Sequence, residues 1–150
     1  MDDLERSLLA HPFLRDLAPE HARFLVGCAK NARFAPGEHL MREGQQEHAL
    51  FLVRRGCVAL ELSEPGREPL VVETVGPGDV LGVSWLFRGN ATHLDCRARE
   101  STLCFELDGD CIKKKMEADP ALGYALTSRL LERVYDRLAR ARLQELDVYR

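Results

Sequence analysis

The feature that most limits what this chain can become is the punctuation between residues 36 and 89. Pro36-Gly37, Gly44, Gly56, Pro65-Gly66, Pro69, Gly76-Pro77-Gly78, Gly82 and Gly89 cut that stretch into short runs. Glycine and proline at such intervals break helices and supply tight turns. The runs between and after them are rich in β-branched, aromatic and other apolar residues: Ala49 to Arg54, Cys57 to Ser63, Leu70 to Val75, and Ser101 to Leu107. Runs of this length with closely spaced turns predict a mainly β domain, a double-stranded β-roll or jelly roll of about eight short strands. Val58 to Leu62 and Thr102 to Phe105 are apolar enough to be mostly buried.

Helical patterns flank the roll. Leu4, Leu8 and Leu9 fall at helical spacing until His11-Pro12, and Pro19 suits the first turn of a second helix with Phe24, Leu25 and Cys28 on one side. Asp108 is placed to open a helix reaching about Met116. Asp119-Pro120 then offers an N-cap and a first-turn proline to a long helix reaching about Leu146. On that last helix Leu130, Leu131, Val134, Leu138 and Ala141 share one side, widened by Tyr124 and Tyr135. Arg129, Glu132, Arg133, Asp136, Arg137 and Arg140 take the opposite arc. The arginine ladder is interrupted by Glu132 and Asp136, so it reads as a solvated face rather than a DNA contact; Lys113-Lys114-Lys115 is one short cationic turn. The organisation is a single domain with N-terminal helices over 1–31, the roll over 32–107 and C-terminal helices over 108–150.

Composition narrows the class. The chain has 150 residues, 45% hydrophobic and 30% charged, which is globular and excludes a disordered chain. Its 21 basic and 24 acidic residues leave a formal charge of −3, so there is no global attraction to nucleic acid or an anionic membrane. No apolar run approaches the roughly 18 residues that would span a bilayer, and the first residues lack the pattern of a signal peptide. The five cysteines, Cys28, Cys57, Cys96, Cys104 and Cys111, contain no Cys-x-x-Cys and read as scattered reduced thiols, which implies a cytoplasmic protein.

Three blocks carry a family resemblance: Phe34-Ala35-Pro36-Gly37-Glu38, then Arg42-Glu43-Gly44 with Leu50 to Gly56, then Gly76-Pro77-Gly78-Asp79-Val80-Leu81-Gly82. Together they resemble the cyclic-nucleotide-binding domain of the catabolite activator protein (Crp/Fnr-like) family. The resemblance continues through Arg97-Ala98 into the last helices. It implies a phosphate-binding cassette beginning at Gly82, with a short helix over Ser84-Trp85-Leu86-Phe87. Backbone N–H groups and the positive end of a helix make an anion cradle there that does not depend on side-chain identity. The resemblance places the ligand-site equivalents at Gly82, Val83, Ser84, Trp85, Thr92 and His93, with Trp85 either packed in the interior or flooring the pocket.

The same resemblance implies losses. Where the family places a glutamate for the ribose hydroxyl this chain has Val83, and where it places an arginine for the cyclic phosphate it has Thr92. Charge-assisted hydrogen bonds are worth about 1.5–3 kcal/mol each, so losing two weakens binding roughly a thousandfold unless something compensates. Arg88, His93 and Arg97 are the nearby cations, but strand alternation over Ala91 to Ala98 sets His93 and Arg97 on the face opposite Thr92. The base-contacting hydroxyls of the family fall near Asp136 to Leu138, where there is no Ser or Thr.

These observations lead to a non-enzymatic regulatory sensor, for a cyclic nucleotide or another small anion, that signals through its terminal helices. Its expected partners are a second copy, through the helix from Pro120, and a further protein. The sequence ends without the helix-turn-helix that transcription factors of the family carry. Two alternatives compete: a dimerisation and docking module with no ligand, and a cupin-like metalloenzyme. The second needs convergent ligands, whereas His39, His48 and His93 are scattered and form no His-x-His.

Overall fold

The computed structural model describes residues 3–146 and the backbone of 147 and 148, apart from Glu47, residues 88–91 and His93. Three short helices open the chain: α1 (Asp3–Leu9), α2 (Pro12–Arg15) and α3 (Pro19–Val26). The eight strands are β1 (Ala29–Phe34), β2 (His39–Met41), β3 (Ala49–Arg55), β4 (Val58–Leu62), β5 (Leu70–Val75), β6 (Val80–Leu81), β7 (Asp95–Ala98) and β8 (Thr102–Asp108). Helices α4 (Gly109–Ala118) and α5 (Pro120–Val148) follow. The strands form two four-stranded antiparallel sheets, ordered β1-β8-β3-β6 and β2-β7-β4-β5. The expected jelly roll is therefore present, with its first strand beginning three residues earlier than the expected boundary at 32.

The roll has two cores because its central strand is apolar on both faces. Leu50 and Leu52 turn outward to a cluster with Leu8, Phe13, Leu25, Phe105, Leu107, Ile112 and Trp85. Phe51 and Val53 turn inward to Val58, Leu60, Val75, Leu81, Cys96 and Cys104, between the sheets. The two-residue period of a strand separates the two sets. Turns close where glycine is required. Gly56 has φ 98°, and a Cβ there would lie 2.6 Å from the Ser101 carbonyl oxygen.

Helix α5 starts as its sequence predicts: Asp119 accepts hydrogen bonds from the N–H groups of Ala121 (3.1 Å) and Leu122 (3.3 Å). Asp108 holds the corresponding position before α4 but makes no side-chain capping bond. In α5 the buried face runs through Leu122, Leu126 and Leu130, all at most 3% exposed, each worth about 1.5–3 kcal/mol of apolar burial. Beyond Leu130 the apolar stripe turns away from the roll: Leu131 is 66%, Val134 44% and Leu138 47% exposed.

Two sequence expectations are corrected here. Cys28 and Cys111 are not free thiols; they are joined by a disulfide across 83 residues, tying the end of the N-terminal helices to the first turn of α4. Closing so long a loop removes about 4.5 kcal/mol of unfolded-chain freedom in the entropic account. The arginine ladder is not a solvated face along most of its length either, although Arg140, at 56% exposed, stays mainly in water. The side chains of Arg129, Arg133 and Arg137 are 17%, 24% and 20% exposed and lie against the body of the domain. The long arginine stems bury well while their heads find acceptors. Among the described residues, no helix is long and apolar enough to cross a membrane.

His11 pins the N-terminal helices to the roll. Its Nε2 donates to the Val53 carbonyl (2.8 Å), and its Nδ1 accepts from the Phe13 N–H (3.1 Å), which requires the neutral ring. Burial holds this imidazole below its ordinary pKa; the Val53 carbonyl opposes that shift, and Arg133 and Arg54 add to it. An unfolded chain therefore takes up a proton that the folded chain refuses. The His11 contribution is complete above about pH 6.5 and is lost as pH falls below that value. Melting temperatures from neutral pH to about pH 5 should decline in the native protein and flatten in His11→Gln, which starts lower. Parallel curves for the two proteins would contradict this assignment.

Candidate functional site

The segment that the sequence marks as a cassette is built on one strand crossing. Gly78 N–H donates to the Val53 carbonyl (3.0 Å), and Val53 N–H donates to the Asp79 carbonyl (2.9 Å). Asp79 also closes its own turn, accepting from the Gly76 N–H at 2.9 Å. Residues 80 and 81 then pair with Leu52 and Phe51. Gly82, at φ 89°, redirects the chain into the 3-10 turn Ser84–Leu86. Gly82 and Val83 thus lead directly into the turn that holds Ser84 and Trp85.

Trp85 belongs to the interior. It is 2% exposed, its indole N–H donates to the Gly82 carbonyl (2.8 Å), and it lies so close to Gly109 that a Cβ there would come within 2.8 Å of the ring. Thr92 is spent elsewhere. Its hydroxyl donates to the Arg42 carbonyl (2.6 Å), and its backbone pairs with Gly44 and Gln45. Thr92 is 7% exposed and lines a 180 Å³ cleft with Leu40, Met41 and Phe51, among others; Gly82, Val83 and Ser84 take no part in that lining. His93 and Arg88 lie outside the described residues. Arg97 is paired with Glu61 at 2.6 Å, and Glu61 is 2% exposed.

What meets the turn and short strand leading into the cassette from the helix side is α5. Arg133 donates to the Gly78 carbonyl (2.9 Å) and lies 3.9 Å from Asp79. Arg137 donates to the Val80 carbonyl and lies 3.8 Å from Glu73 on β5. Arg140 reaches the same carboxylate at 3.6 Å. Burial pulls the Arg137 guanidinium below its ordinary pKa, while Glu73 and Asp79 oppose that shift. A cleft of 640 Å³ runs beside these groups, lined by Asp16, Asp79, Glu132 and Asp136 as well as four arginines, so its charges balance.

Sequence reasoning missed Arg133, Arg137, Glu73 and Asp79 as a group. The signal was available: steps of three and four residues from Leu122, Leu126 and Leu130 lead to Arg133 and Arg137 on the same face. Elsewhere the chemistry is quiet. Burial, with a smaller effect from Glu106, pushes the Cys104 thiol up to about 12, away from thiolate reactivity. Among the described residues no three His, Cys, Asp or Glu side chains converge as metal ligands.

The family model described as "Cyclic nucleotide-binding domain" matches residues 32–119. The chain belongs to the cyclic nucleotide-binding domain family. Solved structures share its fold. A cyclic nucleotide-binding domain from Methylobacillus flagellatus KT is 21% identical with a TM-score of 0.82, over 95% of this chain and 83% of that one. The catabolite activator protein of Thermus thermophilus is 24% identical with a TM-score of 0.69, over 91% of this chain and 63% of that one. The regulatory domain of Toxoplasma gondii PKA, co-crystallised with cAMP, is 23% identical with a TM-score of 0.64, over 76% of this chain and 45% of that one. This membership and fold support a regulatory role, as the sequence resemblance implied.

The pairing of Arg97 with Glu61 generates a stability prediction. Arg97→Ala strands a buried carboxylate and should cost about 3 kcal/mol in urea unfolding. Adding Glu61→Gln should recover much of that loss. A cost near zero for Arg97→Ala would show that Glu61 is satisfied without it.

Proposed function

We propose that this protein is a regulatory sensor domain whose cassette has lost high-affinity cyclic-nucleotide selection and whose output is the position of α5. The observation that carries the reading is Arg137. It lies within Asp136 to Leu138, the stretch where the family's base-contacting hydroxyls fall, and its guanidinium is already engaged by the Val80 carbonyl and Glu73. Val83 supplies no acceptor for a ribose hydroxyl, and the hydroxyl of Thr92 is committed to Arg42. The remaining ligand is a cyclic nucleotide held weakly, or another small anion, at the Gly82 to Trp85 turn. A ligand moves α5 only through differential affinity for its two positions.

The outward stripe of α5 supports a homodimer. Tyr124, Leu131, Val134 and Leu138 are 79%, 66%, 44% and 47% exposed and repeat at coiled-coil spacing. The second reading, a ligand-free dimerisation and docking module, is favoured by the committed Thr92 hydroxyl, and a further protein partner fits both readings.

Calorimetry separates the two. Native protein should bind cyclic AMP more weakly than the low-micromolar range, and Val83→Glu should tighten binding at least about tenfold by restoring an acceptor. Low-micromolar binding by the native chain would contradict the degenerate cassette, and no binding by either protein favours the docking module. Light scattering addresses association: Val134→Glu with Leu138→Glu should convert a dimer to a monomer. A native protein that stays monomeric at high concentration would count against the helix interface.

A further inference from the structure

The inner face of α5 changes chemistry halfway along. Through Leu130 it is apolar and buried. Beyond Leu130 the same face is made of Arg133, Arg137 and Arg140, and each is received on the roll by a carboxylate, a carbonyl or both. From these contacts we infer a latch: Asp79 and Glu73 hold the second half of α5, residues 131–146, on the roll, and that half releases while the leucine-anchored first half stays docked.

The physical reason is that the two halves answer to different forces. Ion pairs that keep some exposure are individually weak and are screened by salt, whereas buried leucines do not respond to screening in that way. Release also has somewhere to go. The 640 Å³ cleft beside the arginines and a second of 200 Å³, lined by Val72, Glu73, Thr74, Arg137, Arg140 and others, give the departing guanidiniums access to water. In the closed position Arg137, in the stretch of α5 that the family resemblance gives to base contacts, is held by the Val80 carbonyl and Glu73. The gating role of the latch therefore rests on that functional reading, whereas its mechanical behaviour does not.

Hydrogen exchange followed by mass spectrometry tests the mechanics, at equal association state checked by light scattering. Glu73→Gln combined with Asp79→Asn should speed exchange in residues 131–146 by about tenfold and leave 120–130 unchanged. Raising salt from about 0.05 M to about 1 M should act in the same direction on the native protein. Asp79→Arg alone should loosen the second half, and adding Arg133→Glu should restore its protection. Exchange that is unchanged, or that rises equally in both halves, overturns the latch. Titration of the same variants with cyclic AMP keeps the two ideas apart. Opening without nucleotide binding supports the latch and counts against the nucleotide reading; unchanged exchange with nucleotide bound overturns the latch and leaves that reading standing.

Discussion

The main chain of Val53 is the junction on which this arrangement depends. Its carbonyl accepts from both His11 and Gly78, and its N–H donates to the Asp79 carbonyl. One residue in the central strand therefore fixes the N-terminal helices and the turn that leads to the cassette. That turn in turn presents the Gly78 carbonyl and the Asp79 carboxylate to Arg133 of α5. A carbonyl has two lone pairs, so neither donor displaces the other. Because Val53 is completely buried, its polar groups have no alternative in water. The N-terminal helices, the roll and α5 are coupled through groups that must all be satisfied together.

Much of the fold was readable because it follows from local rules. Glycines mark turns that other residues do not make, Asp119-Pro120 caps and starts a helix, and Ala49 to Arg54 is apolar on both faces because two cores flank it. The disulfide was not readable. A separation of 83 residues carries no spacing signal, and only the packed roll brings Cys28 and Cys111 to a Cα distance of 5.6 Å. The role of the arginines was misread for a related reason. Periodicity gives the angle between two faces of a helix, and residue type normally decides which of them is inside. Here acceptors on the roll outweigh type, and besides the carboxylates of Asp79 and Glu73 they include the backbone carbonyls of Gly78 and Val80, which no sequence pattern displays.

The candidate site divides along the same line. The turn from Gly82 to Trp85 forms where the glycine pattern marks it: Gly82 supplies the positive φ, and the Trp85 indole N–H donates back to the Gly82 carbonyl. Thr92 was placed by counting along an expected strand, but β7 begins only at Asp95. Thr92 precedes that strand and is stitched to the loop at Arg42, Gly44 and Gln45. A position inferred by alternation holds only as far as the strand that enforces it.

The inverted helix α5 ties association to docking. Most surface helices bury their apolar side and expose their charges; beyond Leu130 this one does the reverse. The arginines cannot return to bulk water without giving up the carbonyls of Gly78 and Val80, and the stripe of Leu131, Val134 and Leu138 stays 44–66% exposed. In the homodimer proposed above, a second copy would cover that stripe and hold the helix from outside, leaving the ion pairs on the inner face to choose its position along the roll. Weak, screened contacts suit that task, because a choice between two positions is made by small differences. A helix glued by leucines along its whole length would hold one position and report nothing.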